Sequence, residues 1–349
     1  MQAEMTSSKY LWKKVADELT NYIHKHNLRS GSKFFTADEI SARYGISNIT
    51  SRRVLSELSS KNLIEQSRGR ACVIKQVNSL RKIYILIDNL DKDRSISFNY
   101  VYAGVYKGIT EEAIKINCET ELISTAFLKK MTIDHNTDII IMQNFPAYDK
   151  TAADLLSYDP NINCVCCQTI DNPPGVSTVS GNLNRSGWMI TGHLISRGHQ
   201  RIAMVACGNP VWYTPKFDGY YAALKEHNMS FDAVLVKGIE NNRDSCNQAM
   251  NELLALKDPP TAVFCSNDYT ALWALNYCKD HNIPVPDKLA IAGFDNLPES
   301  RVAHPALTTI DTEWAEQGRR SVRFLAEHLE RGNVKKIVIE PKLIIREST

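Results

Sequence analysis

Residues 34–74 constrain the fold of this chain more than any other segment. Their pattern predicts a helix over about 37–44, a turn at 45–47, a second helix over about 48–61, and a strand–turn–strand that ends at residue 74. Helices of this length are marginal in isolation, so they must pack on each other and on a further element. This order is typical of a helix-turn-helix with a β-wing, which places its second helix in the major groove of DNA.

Apolar residues at helical spacing predict a first helix over about 10–26 that packs on these two helices. Its apolar positions are Leu11, Val15, Leu19, Tyr22 and Ile23. A second apolar set lies within the helix-turn-helix, at Ile40, Tyr44, Ile46, Val54, Leu55 and Leu58. The two sets together predict a small three-helix core.

Polar residues around the second helix are the candidate DNA contacts. Ser47 is a suitable N-cap, and Asn and Arg side chains can pair bidentately with adenine and guanine edges. In the wing, Gly69 permits a tight turn, and its flanking arginines suit a narrow minor groove or the DNA backbone. Plain solvation is the alternative for each residue. The predicted contacts are Thr36, Ser47, Asn48, Thr50, Ser51, Arg52, Arg53, Arg68, Gly69 and Arg70.

Four stretches carry a resemblance to the winged helix of the GntR family of bacterial regulators. They read FFTADEIS (34–41), ISNITSRRVL (46–55), NLI (62–64) and RGRACVI (68–74). Three residues depart from the family pattern: Phe35 replaces a proline, Asn48 replaces an arginine, and Asp38 stands where a basic residue is frequent. The resemblance implies a DNA-binding fold whose base preference is shifted.

Charge is divided unevenly along the chain. Residues 1–78 hold 13 Lys and Arg against 7 Asp and Glu, whereas the remaining residues hold 28 against 32. This division indicates that only the N-terminal part meets a polyanion, although a solvated basic face would look the same. We therefore predict a DNA-binding domain over 1–77 and a second domain over 78–349.

The second part alternates strand-like and helix-like runs, which is the pattern of an α/β fold with parallel sheets. Eight strand-like runs begin at about residues 83, 120, 138, 163, 201, 233, 261 and 288. Helices are predicted over about 101–116, 185–197, 217–227, 244–256 and 268–281. Because eight such units exceed one small sheet, two lobes are expected. Several strands end in Asp and Asn, whose groups suit the hydroxyls of a sugar.

Five segments of this part resemble the sugar-responsive half of the LacI/GalR repressors. They are GWMITGHLISRGHQRIA (187–203), FCSND (264–268), IAGFDN (291–296), LTTI (307–310) and PKLIIREST (341–349). The resemblance implies a periplasmic-binding-protein-like fold, with one lobe at about 82–180 with 310–325 and the other at 181–305 with C-terminal crossing strands. A GntR-type reader fused to a LacI-type sensor resembles the arabinose-repressor subgroup of regulators.

The same resemblance implies an effector pocket between the lobes. Its residues are Asp88, Asn99, Tyr100, Tyr102, Arg185, Trp212, Lys216, Asn267, Asp268, Asp295 and Trp314. Lys216 replaces an arginine that is customary in the family. Because Lys216 and Arg185 are both cationic, an anionic sugar stays possible as the effector. A neutral monosaccharide is preferred, since Asp268 and Asp295 would repel an anion. A satisfied polar group at a strand end is the alternative for each residue.

Other function classes lack their motifs. The chain has no nucleotide-binding, dinucleotide-binding or serine-hydrolase motif and no His at zinc-finger spacing, so neither a cofactor nor a metal is expected. The nine cysteines lie in large part within apolar runs, which favours reduced thiols in a reducing cytosol. An apolar secretory core and an 18-residue apolar run are both absent from the sequence, so we expect a cytoplasmic protein without a membrane segment.

These observations predict a regulator of transcription rather than an enzyme. The preferred hypothesis is a homodimeric repressor of carbohydrate genes that binds a palindromic operator and is released by a monosaccharide. A ligand-activated activator is one alternative. Another is a sugar-processing enzyme with an appended DNA-binding arm, in which Asp268 and Asp295 would form the carboxylate pair.

Overall fold

The computed structural model describes residues 5–25, 28, 31–61, 63–65, 72–75, 81–87, 100–124, 128, 138–142, 163–167, 176–208, 214–327 and 334–349. The chain divides into two compact units. The first comprises Met1–Lys82 with Asn117–Glu119, and the second comprises Ile83–Ile116 with Thr120–Thr349. The predicted domain boundary between residues 77 and 78 lies outside the described residues and stays a prediction.

Helices and a short sheet build the first unit. The elements are α1 Met5–Lys25, α2 Ala37–Tyr44, α3 Asn48–Ser60, β1 Ile64–Glu65 and β2 Val73–Ile74, with β1 and β2 antiparallel. Thr36 and Glu39 form a capping box that starts α2, and Gly45 ends it with a left-handed φ of 63°. The predicted winged helix-turn-helix is therefore confirmed. The predicted wing contacts at 68–70 lie outside the described residues.

The core of this unit follows the predicted apolar spacing. Its buried members include Val15, Leu19, Ile23, Ile40, Ile46, Val54, Leu55 and Leu58. Leu11 is an exception, because 42% of its surface is exposed. Phe35, which replaces the proline of the family pattern, packs its ring against Phe34 and Tyr22 with centroid separations of 5.1 and 5.6 Å. An aromatic cluster thus occupies the entry to α2.

The second unit contains many more elements. Its described helices are α4 Tyr100–Lys115, α5 Leu183–Ser196, α6 Pro215–Glu226, α7 Arg243–Leu254, α8 Asp268–Asp280, α9 Pro298–Val302 and α10 Trp314–Glu327. The other described strands are β3 Arg81–Ile87, β4 Cys118–Ile123, β5 Asp138–Met142, β6 Asn163–Cys167, β7 Ser177–Gly181, β8 Ile202–Cys207, β9 Val236–Ile239, β10 Ala262–Cys265, β11 Ala290–Ala292, β12 Thr309–Asp311, β13 Lys336–Ile339 and β14 Lys342–Ile344.

These strands form two larger sheets, and each sheet defines a lobe. The first lobe has the order β13-β7-β6-β5-β3-β4, and the second has the order β11-β10-β8-β9. All pairings of the second sheet are parallel. Strand β5 is buried along its whole length, as expected for a parallel strand covered on both faces. Strands β12 and β14 pair antiparallel in a separate two-stranded sheet.

The α/β class with parallel sheets is confirmed, although several elements differ from the prediction. Strand β7 was not predicted, because its sequence STVSG is short and polar. The strand expected from residue 233 begins instead at Val236, after a 3-10 turn over Ala233–Leu235 that Asp232 caps. In both places local hydrogen bonding and the position in the sheet determined where the strand lies, which apolar periodicity does not specify.

Two glycines allow α4 and α10 to approach closely in the first lobe. A Cβ on Gly108 would lie 1.8 Å from the carbonyl oxygen of Ala315, and one on Gly318 would lie 2.1 Å from that of Val105. We expect Gly108→Ala to lower the free energy of unfolding by about 1–3 kcal/mol or more, because the backbones must separate. Thermal unfolding of the purified protein measures the change.

Gly192→Ala is the matched control for this prediction. Gly192 lies inside α5, and a Cβ there would meet nothing within 4 Å. Alanine at this position is expected to leave the melting temperature unchanged or raise it, by about 0.5–1 kcal/mol in stability. Equal melting temperatures for both variants would contradict the proposed close contact.

Candidate nucleic-acid interface and effector site

Helix α3 has one buried face and one exposed face. Val54, Leu55 and Leu58 are buried in the core, whereas Arg52 and Arg53 are exposed. Ser51 was predicted to contact DNA, but its surface is 0% exposed and its hydroxyl donates to the carbonyl of Ser47 at 3.3 Å. Ser51 is therefore removed from the DNA-facing set. The helical period puts it on the core side, one residue before the arginines.

The start of α3 is held by its own polar side chains. The Ser47 hydroxyl accepts from the Thr50 backbone N–H at 3.2 Å and lies 2.8 Å from the Thr50 hydroxyl. These bonds satisfy part of the helix N-terminus. Ser47 is exposed and Thr50 is half-buried, so both remain at the surface.

Two departures from the GntR pattern contact each other. The side-chain amide of Asn48 donates to a carboxylate oxygen of Asp38 on α2. The remaining amide oxygen of Asn48 is buried and has no hydrogen-bond partner among the described residues. Bidentate pairing with adenine needs both amide groups, so in this conformation Asn48 cannot read adenine in the predicted way.

The two exposed arginines of α3 differ in their surroundings. The guanidinium of Arg53 stacks over the Trp12 ring, 4.3 Å from its centroid, which fixes the side chain against α1. Arg52 has no ion pair or hydrogen bond within the described part of the chain. Thr36 is exposed, and its hydroxyl lies 3.1 Å from a Glu39 carboxylate oxygen within the capping box. Of the two exposed arginines of α3, Arg52 is thus the one with the greater freedom to contact a base.

The second lobe has a topological switch point between β8 and β10. From this pair the chain continues outward to β9 on one side and to β11 on the other. Ligands of parallel sheets bind beyond the carboxyl ends of the strands at such a point. Here β8 ends at Cys207 and β10 ends at Cys265, and Ser266 and Asn267 directly follow β10.

Lys216 and Asp295 lie together near this switch point. The Lys216 ammonium donates to the carbonyl of Ser266 at 2.8 Å and sits 3.5 Å from the centroid of the Phe294 ring. Helix α6 supplies Lys216 from its first turn, and the segment after β11 supplies Asp295. Asp295 has a φ of 118°, an unusual backbone conformation for a residue other than glycine.

Burial perturbs both groups. It raises the pKa of the Asp295 carboxyl to about 8, against the opposing pull of the Lys216 ammonium. It lowers the pKa of Lys216, against the attraction of Asp295. Both residues keep some exposed surface, although their charged groups lie among protein atoms. A displaced pKa on a partly accessible residue marks a candidate ligand site.

Asp268 lies close enough for its charge to add to the effect of burial on the pKa of Asp295, but its own carboxylate is engaged within the protein. Its surface is 0% exposed, one carboxylate oxygen accepts from the Thr309 hydroxyl at 2.6 Å, and the other accepts from the Leu297 N–H at 2.8 Å. Both bonds tie segments of the second lobe together. Both carboxylate oxygens of Asp268 are thus engaged in this conformation, and its contact with the effector stays a prediction. A glycosidase-type pair of Asp268 and Asp295 also lacks one accessible carboxyl group.

Asn267 is engaged in a similar way. Its side-chain oxygen caps α8 by accepting from the Thr270 N–H at 2.8 Å, and its amide donates to the Cys207 sulfur at 3.2 Å. Arg185 is exposed, and its guanidinium stacks 4.0 Å from the centroid of the Trp188 ring. The structure thus gives both residues other partners than Lys216 and Asp295.

A second polar group lies at the start of α10. The indole N–H of Trp314, the Thr312 hydroxyl and the side-chain oxygen of Gln317 are buried without a hydrogen-bond partner among the described residues. Such atoms are costly unless a ligand or water satisfies them. Trp314 was predicted from sequence, whereas Gln317 was missed. The only sequence feature that points to Gln317 is that this polar residue stands on the apolar side of an amphipathic helix.

The structure describes two of the five remaining predicted pocket residues. Asp88, Asn99 and Trp212 lie outside the described residues. Tyr100 is the first residue of α4, and Tyr102 is half-buried on its first turn. No group of three metal-binding side chains occurs within the described ranges. None of the helices described here is long and apolar enough to cross a bilayer.

Two family models match the chain. Residues 11–74 match the gntR family of bacterial regulatory proteins, and residues 191–349 match the periplasmic binding protein-like domain. The chain joins a gntR-type domain to a periplasmic binding protein-like domain. This combination confirms the fusion that the sequence resemblance predicted.

Individual relatives agree with this assignment. The HTH-type transcriptional repressor PurR of Mannheimia succiniciproducens is 35% identical over 179 residues, which cover 50% of this chain and 53% of that protein. The chain therefore spans about half the length of this relative. PurR of Photobacterium profundum is 24% identical over 314 residues, covering 87% of this chain and 90% of that protein. Among solved structures, the CelR–cellobiose complex shares the fold, with a TM-score of 0.64, 21% identity, and coverage of 87% and 92% of the two chains.

Proposed function

We propose that this protein is a DNA-binding repressor of transcription that a small polar effector releases from its operator. The observation that carries the proposal is the exposed face of α3. This face presents Arg52 and Arg53 on a capped helix of the gntR-type domain, which is the position of a major-groove reader. The relatives named as transcriptional repressors support the same function.

The proposed assembly is a homodimer on a palindromic operator. A single short recognition helix reads few base pairs, so two copies related by a twofold axis supply the necessary affinity and spacing. The proposed compartment is the cytoplasm. None of the nine cysteines forms a disulfide bond, and burial raises the pKa of the Cys164 and Cys246 thiols to about 12, which suits inert thiols in a reducing environment.

The proposed effector is a monosaccharide. Lys216 and Asp295 on the second lobe offer a donor and an acceptor for hydroxyl groups, and Trp314 offers an indole N–H. The raised pKa of Asp295 reduces its negative charge at neutral pH, so Asp295 would repel an anionic sugar less than an ionised carboxylate would. The neutral sugar remains our proposal, and sugar acids belong in the test.

A two-step experiment tests this function. Thermal-shift screening against pentoses, hexoses, disaccharides, sugar acids and purine bases identifies the effector. A mobility-shift assay on duplexes from upstream of the protein's own gene then measures binding with and without it. We expect salt-sensitive binding to a specific duplex and its release by the effector. Tighter binding with the effector would instead support an activator or co-repressed regulator, and chemical conversion of the effector would support an enzyme.

Effector affinity is expected to rise with pH between about 6 and 8. A sugar hydroxyl that donates to Asp295 needs the ionised carboxylate, and the free protein holds its proton up to a pKa of about 8. The dissociation constant should therefore fall by up to about tenfold per pH unit below the pKa and level off above it. Calorimetric titration at several pH values measures this trend, and a flat profile would contradict the role of Asp295.

A further inference from the structure

Ile49 is the most exposed large apolar residue within the described part of the chain. Its side chain is 83% exposed, compared with 72% for Val302 and 76% for Ile114. It occupies the second position of α3, directly after Asn48. Ile49, Arg52 and Arg53 follow the i, i+3, i+4 spacing of a single helix face, so the isoleucine lies on the face that carries the two arginines.

The polar neighbours of Ile49 already have partners inside the protein. Asn48 donates to Asp38, Ser47 and Thr50 bond to each other, and Ser51 is buried. At the tip of the helix, Ile49 is therefore the large side chain that is left mostly exposed to solvent. Exposure of an isoleucine to water is unfavourable, and a partner that covers it recovers this free energy.

DNA offers one apolar group at the edge of its bases in the major groove, the C5 methyl of thymine. Contact with this methyl would bury both apolar surfaces, and no other base presents such a group. We infer that Ile49 selects a thymine at one position of each operator half-site through this methyl group. The inference rests on the proposed DNA-binding function and adds a specificity residue to it.

The test uses the full-length protein and an operator obtained by selection from random duplexes. Each thymine of the operator is replaced in turn by deoxyuridine, which removes only the methyl. We expect one symmetric pair of replacements to weaken wild-type binding by about fourfold per half-site, the value of one buried methyl group. Replacement of the other thymines should have little effect.

The variant Ile49→Ala completes the test. It should bind the thymine operator more weakly than wild type, and it should no longer distinguish thymine from deoxyuridine at that position. Val302→Ala is the matched control, because it truncates another exposed apolar side chain in the second unit and should bind like wild type. Circular dichroism should show an unchanged fold for both, since neither side chain is in a core.

The possible failures are distinguishable. Operator binding that ignores every deoxyuridine, or an Ile49→Ala protein as sensitive to the methyl as wild type, would overturn the role of Ile49 alone. Failure of the wild-type protein to bind any duplex would overturn the proposed function and this inference together.

Discussion

Asp295→Asn is expected to raise the effector concentration needed for operator release by at least about 30-fold, equivalent to about 2 kcal/mol. The substitution keeps the size and shape of the side chain but removes the carboxylate that Lys216 attracts. Asparagine tolerates unusual backbone angles well, so the φ of 118° at this position is no obstacle. Operator affinity without effector should stay unchanged, because the substitution lies in the second unit. Mobility-shift titration with effector measures both quantities.

The same variant has a pH signature in stability. A carboxyl whose folded pKa is raised to about 8 stabilises the native state less as pH rises from its unfolded pKa through that value. Asparagine does not titrate, so the melting temperature of Asp295→Asn relative to wild type should increase between pH 4 and 8. Asp287→Asn is the matched control, since Asp287 is exposed in the same lobe.

An unchanged effector response in Asp295→Asn would show that the effector binds elsewhere.

Arg52→Ala is expected to weaken operator binding by about 1–3 kcal/mol per half-site, and by twice that for a dimer. The reason is that Arg52 is exposed on α3 without an internal partner in the described chain, so its five N–H donors are free for a guanine edge or a phosphate. Titration of labelled operator at several salt concentrations measures the loss. The effector affinity of the variant should equal that of wild type.

Two further variants sharpen the result. Arg52→Lys keeps the charge but loses the planar fork, so it should fail like alanine if Arg52 pairs with guanine and recover binding if Arg52 contacts a phosphate. Arg320→Ala removes another exposed charge, from α10, and should bind operator normally. A loss with Arg320→Ala as large as that with Arg52→Ala would mean that net charge, not the position on α3, governs the affinity.

Sequence patterns predicted the fold class and the positions of many helices and strands. Apolar spacing located Leu19, Ile40 and Leu58 in one small core, and the alternation of strands and helices indicated parallel sheets. These features are repeated over many residues, so single errors do not change the outcome. Short or polar strands such as β7 carry too few positions for periodicity, and only their neighbours in the sheet place them.

Individual site residues were harder to predict. Ser51 and Asp268 both lie within segments that resemble functional motifs, yet both are buried and bonded inside the protein. The sequence around a polar residue in such a segment looks the same whether the side chain faces a ligand or a neighbouring strand. The direct contact between the side chains of Asn48 and Asp38 was not predicted either, because the two residues are ten positions apart in the sequence.

The sequence by itself determined the classes of domain and the positions of the elements, because hydrophobic periodicity, capping residues and turn residues act locally. The tertiary structure decided which polar groups remain available for partners. It brought Lys216 and Asp295 together across the second lobe, and it engaged Asp268 and Asn48 within the protein. The physical reason is that desolvation and hydrogen-bond satisfaction depend on neighbours far apart in sequence, which no local pattern records.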